Sequence, residues 1–182
     1  MPNIMEAIKG MFNTVIDDEA KPPLNIIEAS FCWTYFSLVT EALSFEQLSK
    51  NTTTDDELLG ILEDGMKLCK NQSKKLKEFM IKEGVSIPPI TEDKPKSNSI
   101  DIPPGVKLSN TEISNGLALK IISMSIQAAT AASQSVRTDI GAIWVEFLIE
   151  SLTFGSTLKT KMRKRGWAKI PPDYNPPGSP TK

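Results

Sequence analysis

A proline-rich segment in the middle of the chain, residues 85–108, restricts the folds that are open to it. Its five prolines lie among acidic, lysine and serine residues, and it has the period of neither a helix nor a strand. On both sides of it, apolar residues recur at steps of three and four, which is typical of amphipathic helices. The sequence therefore predicts an all-α fold in which two helical hairpins are joined by one long connection.

Four long helices are expected. The first runs from Leu24 to about Asn51, the second begins at a capping box formed by Thr54 and Glu57, and Gly84 ends it. A capping box of Ser109 and Glu112 opens the third, which continues to about Ser135, and the fourth has Asp139 in its first turn and ends at Gly166. The predicted core stripe of the first helix is Ile27, Phe31, Tyr35, Leu38, Ala42 and Phe45; that of the second is Leu58, Leu62, Met66, Cys69, Leu76 and Phe79; that of the fourth is Ile140, Ile143, Trp144, Phe147, Ser151, Phe154, Leu158 and Met162. The third helix has no charged residue from Ile121 to Val136, which predicts burial on most of its sides.

The lengths of the links predict the topology. Links at 49–53 and 135–138 are short, so each pair of helices is antiparallel. The middle link, extended at ~3.1 Å per residue, reaches farther than a helix of about 28 residues at ~1.5 Å each. This predicts a ferritin-like four-helix bundle with one crossover between helices 2 and 3. The expected organisation is a short N-terminal helix and linker (1–23), the bundle (24–166, with crossover loop 85–108) and a proline-rich tail (167–182).

Composition narrows the classes of function. A chain of 182 residues can bury a core without disulfides, and 21 basic residues against 22 acidic ones leave no basic field for nucleic acid. No run approaches the ~20 apolar residues of a transmembrane helix. Residues 1–10 carry Glu6 and lack the pattern of a secretory signal, so a cytoplasmic location is expected. Cys32 and Cys69 form no CxxC pair and are expected to be buried, reduced thiols, with Cys32 turned away from the stripe that contains Cys69.

The chain contains no histidine. This excludes the Glu-x-x-His motifs of di-iron bundles and the Ser-His-Asp and Cys-His arrangements of hydrolases. Carboxylates would have to bind any metal alone, and Glu28 with Glu150, at the edges of their stripes, are the weak candidates. Gly65, in a Glu-Asp-Gly run, is interpreted as a packing residue that lets helices approach. No catalytic, cofactor-binding or metal-binding residue is therefore predicted, and the protein is not expected to be an enzyme.

Two features near the C-terminus favour surface contacts. Basic residues gather at the end of the fourth helix, where they complement the helix dipole, although an anionic partner would also suit them: Lys159, Lys161, Arg163, Lys164 and Arg165. In the tail, Trp167, Ile170 and Tyr174 are large groups among prolines that prevent a helix. They need a surface, which is either the protein's own bundle or a partner.

Several segments resemble a known family: Lys67–Met80, Glu83–Pro89, Gln134–Asp139, Phe154–Leu158, Lys164–Trp167 and Ile170–Pro172. In this order they are similar to an uncharacterised, ferritin-like family of endospore-forming bacteria related to spore coat protein F. The resemblance extends from about Leu24 to Gly178. It implies a helical bundle, an association with sporulation or the spore coat, and no established enzymatic activity or functional residues.

Two hypotheses about function follow. The first is a structural or assembly protein of the sporulating cell or spore, whose partners are coat or sporulation proteins or further copies of itself. The second is a metal-binding or redox protein that uses carboxylates only. A weaker third is a module that binds a ligand in the bundle core, beside the small residues of the third helix. The absence of histidine favours the first.

Overall fold

The computed structural model describes residues 21–174, 176 and 177. Four long helices make up the fold: α1 (Ile26–Thr52), α2 (Asp56–Glu83), α3 (Asn110–Gln134) and α4 (Thr138–Lys164), with short 3-10 turns at Ser99–Asp101 and Pro104–Val106. The predicted all-α bundle is confirmed. The predicted N-terminal helix falls in residues 1–20, which lie outside the described residues. Within those residues, no helix is long and apolar enough to cross a bilayer.

Most predicted helix ends are confirmed. Ser109 and Glu112 form the capping box of α3, and Gly84 and Gly166 adopt the left-handed conformation, with φ of 74° and 68°, directly after α2 and near the end of α4. The N-cap of α2 was predicted wrongly as Thr54. It is Asp55, whose carboxylate accepts the Leu58 N–H at 3.0 Å, because aspartate caps a helix at least as well as threonine does.

The crossover loop runs along α1. Near its start, Thr91 donates to the Glu41 carboxylate (3.2 Å), and farther on the amide of Gln47 bonds to both Asp93 and the Lys94 N–H. Asn51 then binds the carbonyl of Pro95 and the N–H of Ser97. These contacts carry the chain from the end of α2 to the start of α3, where Thr53 donates to Asn110 (2.9 Å). The loop therefore crosses the bundle, as its length predicted; the relation to ferritins stays a prediction.

The core lies between all four helices. The central aromatic group is Tyr35, Trp144 and Phe147, whose ring centroids are 5.2 to 5.9 Å apart. The predicted stripe of α4 is confirmed, since Ile140, Trp144, Phe147, Ser151, Leu158 and Met162 are buried and Ile143 and Phe154 pack against them.

The predicted stripe of α1 is partly wrong. Ile27 is half exposed, whereas the buried residues include Glu28, Cys32, Val39, Glu46 and Ser49. Polar side chains occupy several core positions of this helix, so a stripe drawn from apolar residues alone is rotated toward solvent. Cys32 is fully buried, as predicted.

One end of the bundle is fastened by a buried arginine. Arg137, whose side chain is 5% exposed, binds the carboxylates of Glu83 at the end of α2 and Asp139 at the start of α4. It also donates to the carbonyl of Pro22. The carboxylate of Glu28 accepts the backbone N–H groups of Val136 and Arg137, both at 2.8 Å. We call Glu28, Glu83, Arg137 and Asp139 the end clamp.

The end clamp shifts the acid–base properties of its members. The hydrogen bond from Arg137 is the main reason that the pKa of Asp139 and that of Glu83 lie below the ordinary range of carboxyl groups. Both carboxylates therefore stay charged near neutral pH and hold the guanidinium from two sides.

Replacing Arg137 by methionine should lower the free energy of unfolding by about 3 kcal/mol, because it leaves Glu83 and Asp139 without their partner in a nearly buried site. Urea unfolding measures the change. Arg165→Met is the matched control: Arg165 pairs with Asp55 and Glu57 at the surface, where an ion pair contributes less than ~1 kcal/mol. Equal losses in the two variants would contradict a special role for the end clamp.

Candidate functional site

The two carboxylates proposed for a metal do not meet. Glu28 belongs to the end clamp and is buried, which corrects the expectation of an edge position. Glu150 lies on α4, 13 residues after Arg137 and hence about 20 Å along the helix, and accepts a hydrogen bond from Gln72 (2.9 Å). Among residues 21–174, 176 and 177, no three Cys, Asp or Glu side chains are grouped as ligands for one ion.

Both cysteines are buried and unbridged. Burial raises the pKa of the Cys32 thiol to about 12, and burial together with the neighbouring Glu46 raises that of Cys69 well above its ordinary value. The thiolate is the nucleophilic form, so neither sulfur has the properties of a reactive cysteine. That they are reduced in cells stays a prediction.

A fully buried carboxyl group, that of Glu46, is the most unusual feature of the core. It projects from α1 toward α2, and its oxygen Oε1 lies 3.9 Å from the Sγ atom of Cys69, while Oε2 has no hydrogen-bond partner. A buried polar oxygen without a partner costs free energy, about 1–3 kcal/mol. This carboxyl group therefore lowers the stability of the folded chain.

The fold makes room for this group at Gly65 of α2. A Cβ atom there would lie 2.6 Å from Oε1 of Glu46 and 3.2 Å from the Phe154 ring. The packing interpretation of Gly65 holds with one correction: the glycine accommodates a carboxyl side chain from α1 rather than the backbone of another helix.

Burial is the main reason that the pKa of Glu46 rises to about 8, and contact with Cys69 and the charge of Lys120 on α3 oppose the rise. At neutral pH the group is mostly a neutral carboxylic acid. It can donate one proton in a hydrogen bond, but beside a protonated thiol it forms no nucleophile and base pair.

A second group of polar side chains is centred on Gln72, about one turn of α2 after Cys69. The Tyr35 hydroxyl donates to the Oε1 atom of Gln72 (2.8 Å), and the Nε2 atom of Gln72 donates to Glu150. Each of these side chains has a partner, so this group joins α1, α2 and α4 and is satisfied within the core.

The basic cluster and the tail near the C-terminus both make contacts with the bundle. From the basic cluster, Arg165 pairs with Asp55 and Glu57 and lies over the Trp167 ring, 4.7 Å from its centroid. Trp167 itself is buried against the bundle, whereas Ile170 and Tyr174 are exposed. Of the two surfaces that the sequence left open for the tail, Trp167 lies on the protein's own bundle, whereas the two residues beyond it stay exposed.

Sequence reasoning missed Glu46 and Arg137. The signal for Glu46 was present, because it is seven residues after Val39 and four after Ala42, both buried. A hydrophobicity pattern gives no weight to a carboxylate at such a position. Arg137 lies in a turn, where its partners on α2 cannot be found from spacing.

Three comparisons with known proteins agree. The family described as "Protein of unknown function (DUF3231)" matches residues 10–179. The uncharacterised protein YvdQ of Bacillus subtilis is 23% identical over 150 residues, 82% of this chain and 88% of that one. A crystal structure named "putative spore coat protein", from Bacillus halodurans, superimposes with a TM-score of 0.82 at 24% identity, over 85% of this chain and 97% of that one. The shared fold is shown, and the resemblance to an uncharacterised family related to spore coat proteins is confirmed.

The raised pKa of Glu46 predicts a stability that falls as pH rises from about 4.5 to about 8. In this range the folded protein keeps a proton that the unfolded chain, with an ordinary glutamate, has lost. The free energy of unfolding should fall by up to ~1.4 kcal/mol per pH unit and level off above pH 8. Glu46→Gln should remove this slope and be more stable than the wild type at pH 8.

Urea unfolding at pH 5, 6.5 and 8 measures how the free energy of unfolding depends on pH. The chain has no histidine, the side chain that usually titrates in this range. Glu150→Gln is the control and should keep the slope of the wild type. An unchanged slope in Glu46→Gln would show that another group is responsible.

Gly65→Ala should lower the free energy of unfolding by about 1–3 kcal/mol, since the new methyl group meets Glu46 and Phe154. The matched control in the same helix is Gly60→Ala: a Cβ atom there meets nothing within 4 Å, so higher helix propensity should stabilise the protein by about 1 kcal/mol. Adding Glu46→Ala to Gly65→Ala should cost less than the sum of the single changes. Strict additivity, measured by thermal or urea unfolding, would contradict the contact.

Proposed function

Since the chain belongs to the family described as "Protein of unknown function (DUF3231)", we propose that it is a structural or assembly protein of the sporulating cell or spore. It acts in the cytoplasm or on the spore through surfaces of the bundle and tail, with coat or sporulation proteins as partners, and not as an enzyme. The structural likeness to a protein named "putative spore coat protein" supports an association with the spore.

The tail is the observation that carries this proposal. Its first part is fixed to the bundle: Trp167 is 7% exposed, its carbonyl accepts a hydrogen bond from Asn115 (2.7 Å), and its N–H donates to the carbonyl of Met162 (2.9 Å). An anchored base gives the following residues a defined direction from the bundle.

Beyond this anchor, Ile170 is 68% exposed and Tyr174 is 82% exposed. Two prolines between Trp167 and Pro176 keep this part from forming a helix. Extended proline-containing segments with apolar side chains are a recurring form of ligand for grooves on other proteins, because little conformational entropy is lost on binding. A protein partner is therefore a better explanation for these exposed residues than solvent.

The polar groups of the core support a role without catalysis. Glu46 is mostly uncharged at neutral pH, and both thiols are protonated. A general base or activated nucleophile would need access to substrate, and these three side chains are fully buried.

The alternative is a carboxylate-only metal or redox protein. One observation favours it: the unpartnered Oε2 atom of the buried Glu46 near Cys69 could bind an ion if the core rearranged. Elemental analysis of the purified protein after loading with iron, manganese or zinc separates the two functions. Stoichiometric metal that Glu46→Gln abolishes would support the alternative.

The experiment for the proposed role is a fluorescent fusion followed through sporulation, with Ile170→Ser and Tyr174→Ser combined in one variant. The wild type should concentrate at the developing spore, and the variant should become diffuse without a lower melting temperature, because both side chains are exposed. Trp167→Ala should lower the melting temperature, since it removes a buried aromatic group.

Ile100→Ser with Val106→Ser is the matched control, as both residues are similarly exposed in the crossover loop. It should localise like the wild type. A wild-type protein that stays diffuse throughout sporulation would contradict the proposed function. A tail variant that localises normally would show that the tail has no part in this function.

A further inference from the structure

The outer surface of the α3 and α4 pair carries a group of exposed apolar side chains. Five large side chains on it are between 38% and 66% exposed, and we call them the α3–α4 face: Leu119, Ile122 and Ile126 of α3, with Ile149 and Leu152 of α4. On α3 they follow at steps of three and four residues and thus share one side of the helix. The prediction that α3 is buried on most sides is wrong for the single chain.

Charge is nearly absent from this face. No charged residue occurs between Lys120 and Arg137. The two carboxylates in the middle of α4 are directed toward α2, where Glu146 pairs with Lys75 and Glu150 binds Gln72. A solvent-facing helix usually has its charged residues on the side away from the core. Here the middle of α4 keeps them at its contact with α2 and leaves its outer side without charge.

A cleft of about 170 Å³ lies within the face, between the two helices. The exposed side chains of Ile122, Ile126 and Leu152 line it together with the buried Gly155. Gly155 lies so close to α3 that an added Cβ would be 3.0 Å from Ile121. An apolar recess surrounded by exposed isoleucine and leucine side chains is the form of an anchor pocket in a protein interface.

We propose that the α3–α4 face binds a second copy of this chain, so that two bundles form a symmetric dimer. The area is adequate: α3 has 25 residues and a length of about 37 Å at ~1.5 Å per residue, and two adjacent helices are about 20 Å wide. The resulting ~700 Å² is the whole outer side of the helix pair, with the α3–α4 face in its middle, and it is close to the ~800 Å² that each partner buries in a stable interface.

A copy of the same chain fits the charge as well as the size. In a two-fold interface each surface meets itself, so a face with charges of one sign would be repelled. The charged side chain that lines the cleft is Lys159, eight residues beyond Ser151 in the middle of α4 and thus about 12 Å away. A two-fold axis through the middle of the face keeps the two Lys159 residues apart.

This inference names one partner within the proposed assembly role, but its test is independent of spores and of the tail. Light scattering after size-exclusion chromatography of the full chain, at about 5 to 100 µM, should give twice the monomer mass of 20.0 kDa. Ile126→Glu and Leu152→Glu, made separately, should each give the monomer mass. Both positions are more than half exposed in one chain, so the monomer should stay folded, which circular dichroism checks.

Ile81→Glu is the matched control, because Ile81 is 62% exposed on α2 and should leave the dimer intact. A monomer at every concentration would overturn the proposal. So would a dimer that survives both variants of the face, or one that Ile81→Glu disrupts. If the protein dimerises only after deletion of residues 1–20, the α3–α4 face binds the chain's own N-terminal segment, and this result would overturn the proposal as well. If Ile126→Glu does not fold, Leu152→Glu alone decides.

Discussion

The end clamp is the interaction on which the arrangement of the helices depends. Glu28 opens α1 by accepting the N–H of Asn25, and its other oxygen accepts two N–H groups of the turn before α4. Arg137, in that same turn, binds the end of α2 through Glu83. Three helix ends that are remote in sequence thus share one hydrogen-bonded group, and a different order of helices would leave these buried charges without partners.

The clamp also explains why the crossover loop takes the course that it does. It holds the end of α2 beside the start of α1, while Asn110 at the start of α3 bonds to Thr53 at the opposite end of α1. The chain must therefore travel the length of α1, and Gln47 and Asn51 bind it on the way. Two of the segments that carry the family resemblance, Glu83–Pro89 and Gln134–Asp139, contribute residues to the clamp.

The sequence predicted the number, order and approximate ends of the four helices, because apolar period, caps and glycine ends are local properties. It indicated that Trp167 needs a surface, but it left open whether the bundle or a partner supplies that surface. It did not predict Glu46 or the rotated core face of α1, since a carboxylate becomes a core residue only when another helix supplies the space, as Gly65 does. The partners of Arg137 also depend on the tertiary structure, which spacing along the chain does not contain.

Polar and apolar residues are exchanged at two places in this bundle: a carboxyl group lies in the core, and a row of isoleucine and leucine side chains lies outside. Both arrangements reduce the stability of a single chain, and departures of this kind are expected where a protein retains function at the expense of stability. Burying the α3–α4 face against another surface would recover free energy, at ~25 cal/mol per Å² of apolar area. No contact at the outer surface relieves Glu46, because its neighbours Gly65, Cys69 and Phe154 lie inside the bundle. We therefore infer that the two features have different origins, the outer one in assembly and the inner one in the fit between α1 and α2.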